Sequence, residues 1–216
     1  MPNWCYTKYH FEGDGKDIKT LYKMLCEYDA WFRKQEPNNR ILIISRNVYQ
    51  FINFCNMNYN YDKTGDDYSC RGGITYYECD DTSVDMDIED AWCPHPDFWF
   101  ELVLHYNWDM EISYIAEESM LGLFEKSGSY FTEKYYLFDE QDILNQNISY
   151  FESDEDLLSS FNAGIKEYLE TVDKDNLLTE YQNGFQNTAE VFAFVRKVND
   201  KYPDVSLSLY EFEEVE

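Results

Sequence analysis

Basic side chains are scarce in this chain. Its 216 residues hold 17 Lys and Arg against 43 Asp and Glu, a formal net charge of −26. So negative a surface repels DNA, RNA and anionic membranes, which argues against direct nucleic-acid binding, and it attracts basic proteins. Apolar runs long enough to cross a bilayer are missing, so no membrane association is expected. The start, MPNWCYTKYH, lacks the apolar stretch of a secretory leader. No CxxC pair occurs among the cysteines at 5, 26, 55, 70, 79 and 93, and no glycine-rich phosphate loop or recognisable catalytic motif is present. Free thiols in a reducing cytoplasm are therefore expected.

Enough apolar material is present to build a core. Hydrophobic residues make up 44% and aromatic residues 19% of the chain, so the charge does not imply disorder. The acid is unevenly placed. Residues 1–61 carry eight basic and six acidic groups, 62–118 two and sixteen, 119–151 two and five, and 152–216 five and sixteen. A coat serving only solubility or a high-salt habitat would be more uniform, so the clustering points to a binding face.

The stretch from Thr82 to Ala116 organises the rest. Val84, Met86 and Ile88 alternate with Asp85, Asp87 and Glu89, which predicts a strand with one apolar side and one row of carboxylates. Pro94 and Pro96 introduce a helix, proline being well suited to a first turn. Phe98, Leu102 and Tyr106, with Trp99 and Val103, are expected to face the sheet. A second strand follows, with Trp108, Met110, Ile112 and Tyr114 opposed to Asp109, Glu111 and Ser113.

Around this unit the pattern predicts a first strand at 3–11, a turn at Gly13–Gly15 and a helix over 17–34, whose Ile18, Leu21, Tyr22, Leu25, Tyr28 and Phe32 recur at helical spacing. Residues 41–61 fit either a buried strand or a short helix, and 62–73 read as a polar loop. Ile74–Cys79 pairs with the acidic strand as a hairpin through Asp80–Asp81. A second hairpin is expected across Ser127-Gly128-Ser129, joining 120–126 to 130–138. Further on, Ser153 caps a helix with Asp154, Glu155 and Asp156 in its first turn. A short helical piece at 175–181, a helix over 188–201 and a strand from Val205 complete the chain.

Candidate chemistry is thin. Cys93, His95 and His105 do not have the spacing of a four-ligand zinc site. Asp80, Asp81, Asp85, Asp87, Glu89 and Asp90 are dense, but they lack the glycine of a calcium loop and alternate as a strand does. No carboxylate pair with contrasting environments and no partnered thiol is marked, so no metal, cofactor or enzymatic activity is expected. Tyr76, Tyr77, Trp99, Trp108, Tyr114, Tyr135 and Tyr136 are mostly core by pattern, although a few could edge the acidic face and anchor a protein partner.

Met1-Pro2-Asn3-Trp4-Cys5 and Ala91-Trp92-Cys93-Pro94 together resemble the YubB-type ferredoxin-like domain family of plasmids and phages, over roughly residues 1–140. His95, between the two prolines, departs from the family's pattern, and the acidic C-terminal part has no counterpart in it. The resemblance implies an α+β fold: a ferredoxin-like split βαβ sheet with helices on one face, in a domain spanning 1–140. An acidic, mainly helical region at 141–216, ending in a strand, would pack on the same sheet or beside it. The resemblance implies no established activity, but it does imply carriage on a mobile element in a bacterial host.

Charge and resemblance converge on one expectation. Asp85, Asp87 and Glu89 would stand about 6.5–7 Å apart on one face, near twice the roughly 3.4 Å advance per phosphate along a DNA strand. Together with Asp80, Asp81, Asp90, Asp109 and Glu111 they form the expected partner-binding set. The expected function is that of a non-enzymatic inhibitor, mimicking nucleic acid to block a basic groove of a host restriction or CRISPR nuclease. The alternative is an acidic adaptor or assembly protein that binds through aromatic patches, its charge serving solubility.

Overall fold

The computed structural model describes residues 3–35, 46–47, 51, 54–55, 72–140 and 148–215. The fold is mixed α+β, with four helices among the described residues. It divides into two compact units, Met1–Phe131 with Glu214–Glu216, and Thr132–Glu213.

The first unit is built on a sheet. Its strands are β1 (Trp4–Gly13), β2 (Arg46–Asn47), β3 (Gly72–Cys79), β4 (Ser83–Ala91), β5 (Met110–Glu118), β6 (Leu123–Ser127) and, last in the chain, β10 (Glu213–Glu214). They lie in the order β10-β6-β5-β1-β4-β3-β2. β1 sits between β4 and β5 and is antiparallel to both. Helix α1 (Gly15–Gln35) connects β1 to the β3 side, and α2 (Pro96–Tyr106) connects β4 to β5.

Side-chain parity decides which face is covered. Cys5, Tyr9 and Phe11 of β1, Val84, Met86 and Ile88 of β4, and Ile112, Tyr114 and Ala116 of β5 point to one side. There they meet Ile18, Leu21, Leu25 and Tyr28 of α1 and Phe98, Trp99, Leu102 and Val103 of α2. Burying each Val, Leu, Ile, Phe or Met among them stabilises by roughly 1.5–3 kcal/mol. Trp99 packs edge-on against Phe11 at 5.6 Å and tilted against Tyr9 at 5.9 Å. Both helices thus cover the same face.

Pro96 opens α2 as expected, and Asn107 closes it in the left-handed region, with its N–H bonded to Leu104 O at 3.1 Å. Tyr106 turns away from the sheet. It is exposed, stacks on Trp108 at 4.7 Å and donates its hydroxyl to Cys55 O. Gly13 is demanded by a close approach, since a Cβ there would stand 2.2 Å from Asp109 O.

The second hairpin expected from the sequence does not form. β6 pairs with β5, and Gly128, at φ +81°, turns the chain so that Tyr130 lies on the sheet instead of extending a strand. The Tyr135–Asp139 strand, β7, pairs with β8 (Ile148–Phe151) and β9 (Leu207–Glu211), both antiparallel. Residues 132–140, read from the sequence with the N-terminal part, thus belong to the second unit.

That unit has its own core. Tyr135 and Leu137 of β7 and Leu207 and Leu209 of β9 meet two helices, α3 (Asp154–Val172) and α4 (Thr188–Lys201). From the helices come Leu157, Phe161, Ile165 and Tyr168, and Val191, Phe194, Val195 and Val198. Ser153 and Asn187 cap the two helices through the N–H groups of Asp156 and Glu190. In place of a helix at 175–181 there is a single 3₁₀ turn, Thr179–Tyr181. The Asp173 carboxylate holds the chain ahead of it by accepting from Leu177 N and Leu178 N, each at 2.7 Å. Most of 41–61, which fits either a strand or a helix in sequence, and of the expected polar loop at 62–73 lies outside the described residues.

Candidate functional site

The opposite face of the first sheet carries no helix from α1 or α2, and the acidic strand displays its carboxylates there. In register across β4 and β1, Asp85 stands against His10, Asp87 against Lys8 and Glu89 against Tyr6. The same β1 residues meet Ser113, Ile115 and Glu117 of β5 on their other side. Beyond β4 lies β3, whose Glu78 opposes Asp85 and whose Tyr76 opposes Asp87. This face is therefore a set of rows running across the strands.

The rows differ in chemistry. In the His10 row, the imidazole Nδ1 lies 2.7 Å from Asp85 Oδ1, and the ring of Tyr130 stacks flat on it at 3.4 Å with a 4° interplanar angle. His10 is buried, while the Asp85 side chain keeps 39% of its exposure. In the Lys8 row, burial pushes the Asp87 carboxyl up from its ordinary value, and the Lys8 ammonium partly opposes that shift. In the Tyr6 row, an exposed phenol ring stands between Glu89 and Glu117. Tyr76 is exposed too and donates its hydroxyl to Glu78 Oε2 at 2.7 Å.

Like charges oppose each other directly on this face. Glu12 faces Glu111 across β1 and β5, and Glu78 faces Asp85 across β3 and β4. Each such pair is destabilising by a fraction of a kcal/mol.

The expected site residues divide into three groups. Asp85, Asp87 and Glu89 share the face opposite α1 and α2, as their alternation implies. Glu111 is on that face but two strands away, with β1 between. Asp80 and Asp81 lie at the β3–β4 turn, and Asp109 in the loop ahead of β5, both beside the start of α1. Asp80 accepts from the N–H groups of Thr82 and Ser83, which holds its carboxyl below the usual range. Asp81 lies 3.5 Å from Lys19, and Asp109 N donates to Asp17 Oδ2. Carboxylates at this end complement the positive pole of the helix.

Asp90 does not belong to the face. It is 1% exposed and points to the core side with Val84, Met86 and Ile88. The period of two that turns Asp85, Asp87 and Glu89 outward turns Asp90 inward. Among the described residues nothing bonds its Oδ1, and burial pushes its carboxyl up to about 7. Cys5 and Tyr9 lie near enough to feel its charge.

Two features escape a reading of the acidic strand alone. Lys8 and His10 interleave with the carboxylates from the neighbouring strand, although Tyr6, Lys8, His10 and Glu12 already alternate with Cys5, Thr7, Tyr9 and Phe11 in sequence. Tyr130 lies on His10 only because of the bend at Gly128, which leaves no periodic signal.

Ser113, His10 and Asp85 stand in one row in the order of a nucleophile, a base and an orienting acid. The Asp85–His10 contact is made. Ser113, however, is buried, accepts from Tyr130 N at 3.4 Å and lies under the Gly128 bend, while the Tyr130 ring roofs the imidazole. A substrate carbonyl has no approach to that hydroxyl. Among the described residues no three His, Cys, Asp or Glu side chains gather as a metal site. Cys5, Cys26, Cys55 and Cys79 are free thiols, with Cys5 and Cys55 each pushed by burial to about 12. Thiols raised so far are poor nucleophiles at neutral pH. No described helix is long and apolar enough to cross a membrane.

No family model, no curated protein and no solved structure matches the chain.

Proposed function

We propose that the chain is a non-enzymatic binding protein whose first unit follows the ferredoxin-like plan and takes a basic protein partner on the face of its sheet opposite α1 and α2. The strand order β5-β1-β4-β3, with α1 and α2 crossing on one side, supports the plan. The observation that carries the binding role is the composition of that face. Exposed Tyr6 and Tyr76 alternate with carboxylates, and the like-charge pairs Glu12/Glu111 and Glu78/Asp85 are kept at a cost in stability. A sheet serving only as scaffold gains nothing from such pairs.

The net charge of −26 favours one form of this role. The partner would be a nucleic-acid-binding protein, such as a restriction or CRISPR nuclease, whose basic groove the face occupies. The resemblance to plasmid and phage proteins points the same way. The bare ladder of Asp85, Asp87 and Glu89 is not what carries this reading, because the Lys8 ammonium opposes Asp87 and the His10 ring hydrogen-bonds with Asp85. The whole face does. The adaptor reading draws on the exposed rings, and it differs in one outcome: nucleic acid would not compete with the partner.

The test is competition. Restriction and CRISPR nucleases, purified and supplied with labelled DNA, are expected to release it as the chain is added, with the effect fading at high salt. The triple variant Asp87→Asn, Glu89→Gln, Tyr76→Ala should lose at least tenfold in that competition. Retention of full potency by this variant would remove the face from the mechanism. Binding of a basic protein without release of its nucleic acid would replace inhibition with the adaptor role.

A further inference from the structure

We infer that the end of the first sheet where β1 begins and β4 and β5 finish is a docking site for a cationic amphipathic helix of a protein partner. The inference goes beyond the acidic face and rests on other residues. Four large apolar side chains stand in water at this end: Trp4 is 41% exposed, Trp92 51%, Met120 79% and Leu121 59%. Trp4 opens β1, Trp92 follows the last residue of β4, and Met120 and Leu121 lie just past the last residue of β5. Because β1 runs antiparallel to both neighbours, the three places lie side by side. Trp4 pairs with Ala91, Trp92 N donates to Asn3 O at 2.9 Å, and Tyr6 pairs with Glu117 close to the end of β5.

The backbone at this end is built to hold these side chains outward. Trp92 has φ +81°, a region in which a bulky side chain is strained. The β5–β6 turn is fixed by Glu118, which is buried and whose carboxylate accepts from Met120 N at 3.1 Å and from Leu121 N. Gly122, at φ +72°, closes it. A turn that only joins two strands is served by glycine and short polar residues; this one carries a methionine and a leucine. Apolar groups displayed together mark interaction sites, and tryptophan is enriched among the residues that anchor them.

Charge and spacing select the occupant. Residues 72–125, which supply every element at this end except β1, hold fourteen Asp and Glu and no Lys or Arg. Asp97 is exposed in the first turn of α2, just past Trp92. Such a field favours a basic segment and repels an acidic one. Adjacent strands lie about 4.7–4.9 Å apart, close to the rise of one helical turn, about 5.4 Å. A helix laid across the ends of β4, β1 and β5 therefore sets its residues i, i+3 or i+4, and i+7 over Trp92, Trp4 and the Met120–Leu121 turn in succession. Lysine and arginine flank that apolar stripe.

Calorimetric titration of the full chain at physiological ionic strength tests the inference. The probes are a synthetic leucine–lysine peptide with leucine at i, i+3, i+4 and i+7, and a peptide of the same composition scrambled to break that period. The periodic peptide is expected to bind about tenfold more tightly. Met120→Ser with Leu121→Ser, and separately Trp92→Gly, should each cost about fivefold or more of that affinity, while Leu177→Ser, an exposed leucine of the second unit, should cost nothing. Trp92→Gly also relieves the strained φ, so its thermal midpoint should hold or rise; a tryptophan kept only for structure would lower it.

Equal binding of the two peptides, or full affinity in both variants, would overturn the site. Uptake of the chain by phosphatidylcholine vesicles with no binding of either peptide would replace the helix with a membrane surface. Loss of peptide binding in Asp87→Asn with Tyr76→Ala, but not in the two variants at the sheet end, would move the helix to the acidic face and leave that reading standing. The reverse pattern, without nuclease competition, would leave the sheet-end site standing alone.

Discussion

Asp90 shows how much one buried carboxylate can decide. Its folded-state pKa of about 7 lies above the ordinary 3.8 because burial disfavours the charged form. The folded chain therefore holds a proton that the unfolded chain releases between those values. Stability from this group is fully present below pH 3.8 and is lost as pH rises toward and through 7. The whole shift corresponds to roughly 4 kcal/mol as an upper bound. Asp90→Asn keeps the shape and removes the titration. Urea unfolding at pH 5 and pH 8 is expected to show the variant gaining a few kcal/mol on the parent at the higher pH and much less at the lower. An equal difference at both pH values would mean that Asp90 stays ionised in the fold. The sequence holds this residue's place in plain view. The alternation that runs Val84, Met86, Ile88 continues to Asp90, and grouping it with the outward acids follows composition where parity should rule. The ring over His10 was not legible in that way, since Tyr130 arrives through a backbone bend and not through a repeat.

Elements with a strong period are legible, and their partners are not. α1 and α4 stand within about two residues of their expected ends, and α2 and α3 begin at the proline and the serine cap that announce them, because caps and prolines mark them locally. β7 reads equally well as a strand, yet nothing in Tyr135–Asp139 says that it pairs with Leu207–Glu211 and not with the adjacent β6. That choice is made by the turn at Gly128 and by the core the strand can join. The acidic face has the same limit: β4 announces its carboxylates, but the bases between them come from β1, more than seventy positions earlier. One consequence is measurable at the level of the sheet. Glu12 and Glu111 oppose each other across β1 and β5, so Glu111→Lys turns a repelling pair into an attracting one, worth about 0.5 kcal/mol or more. Thermal unfolding should rise by about 2 °C or more, while Glu101→Lys, an equal change on the exposed side of α2, should give a smaller shift. No difference between the two would mean that this pair carries no cost, and would remove one support for a face selected to bind.

At the scale of the molecule the chain has two cores, and the charge blocks seen in sequence are shared between them. The second unit runs without interruption from Thr132 to Glu213. Its two ends lie side by side, since Tyr135 pairs with Glu211 and Phe212 N donates to Lys134 O at 2.9 Å. A segment that leaves and returns at neighbouring points can be cut out with little change in the conformational freedom of its ends. It also owns what a small domain needs: a three-stranded sheet, two capped helices and a continuous cluster from Leu157 through Val198 to Leu207. Residues 132–213 expressed alone are expected to fold, giving dispersed amide resonances and one cooperative thermal transition. Added salt should raise that transition, because screening relieves repulsion among acids such as Glu155, Asp156, Glu167 and Glu170. In the full chain the same transition should persist when Asp90→Asn shifts the unfolding of the first unit. A collapsed ensemble with poorly dispersed resonances would mean instead that the second core depends on the first, and that the two units fold as one.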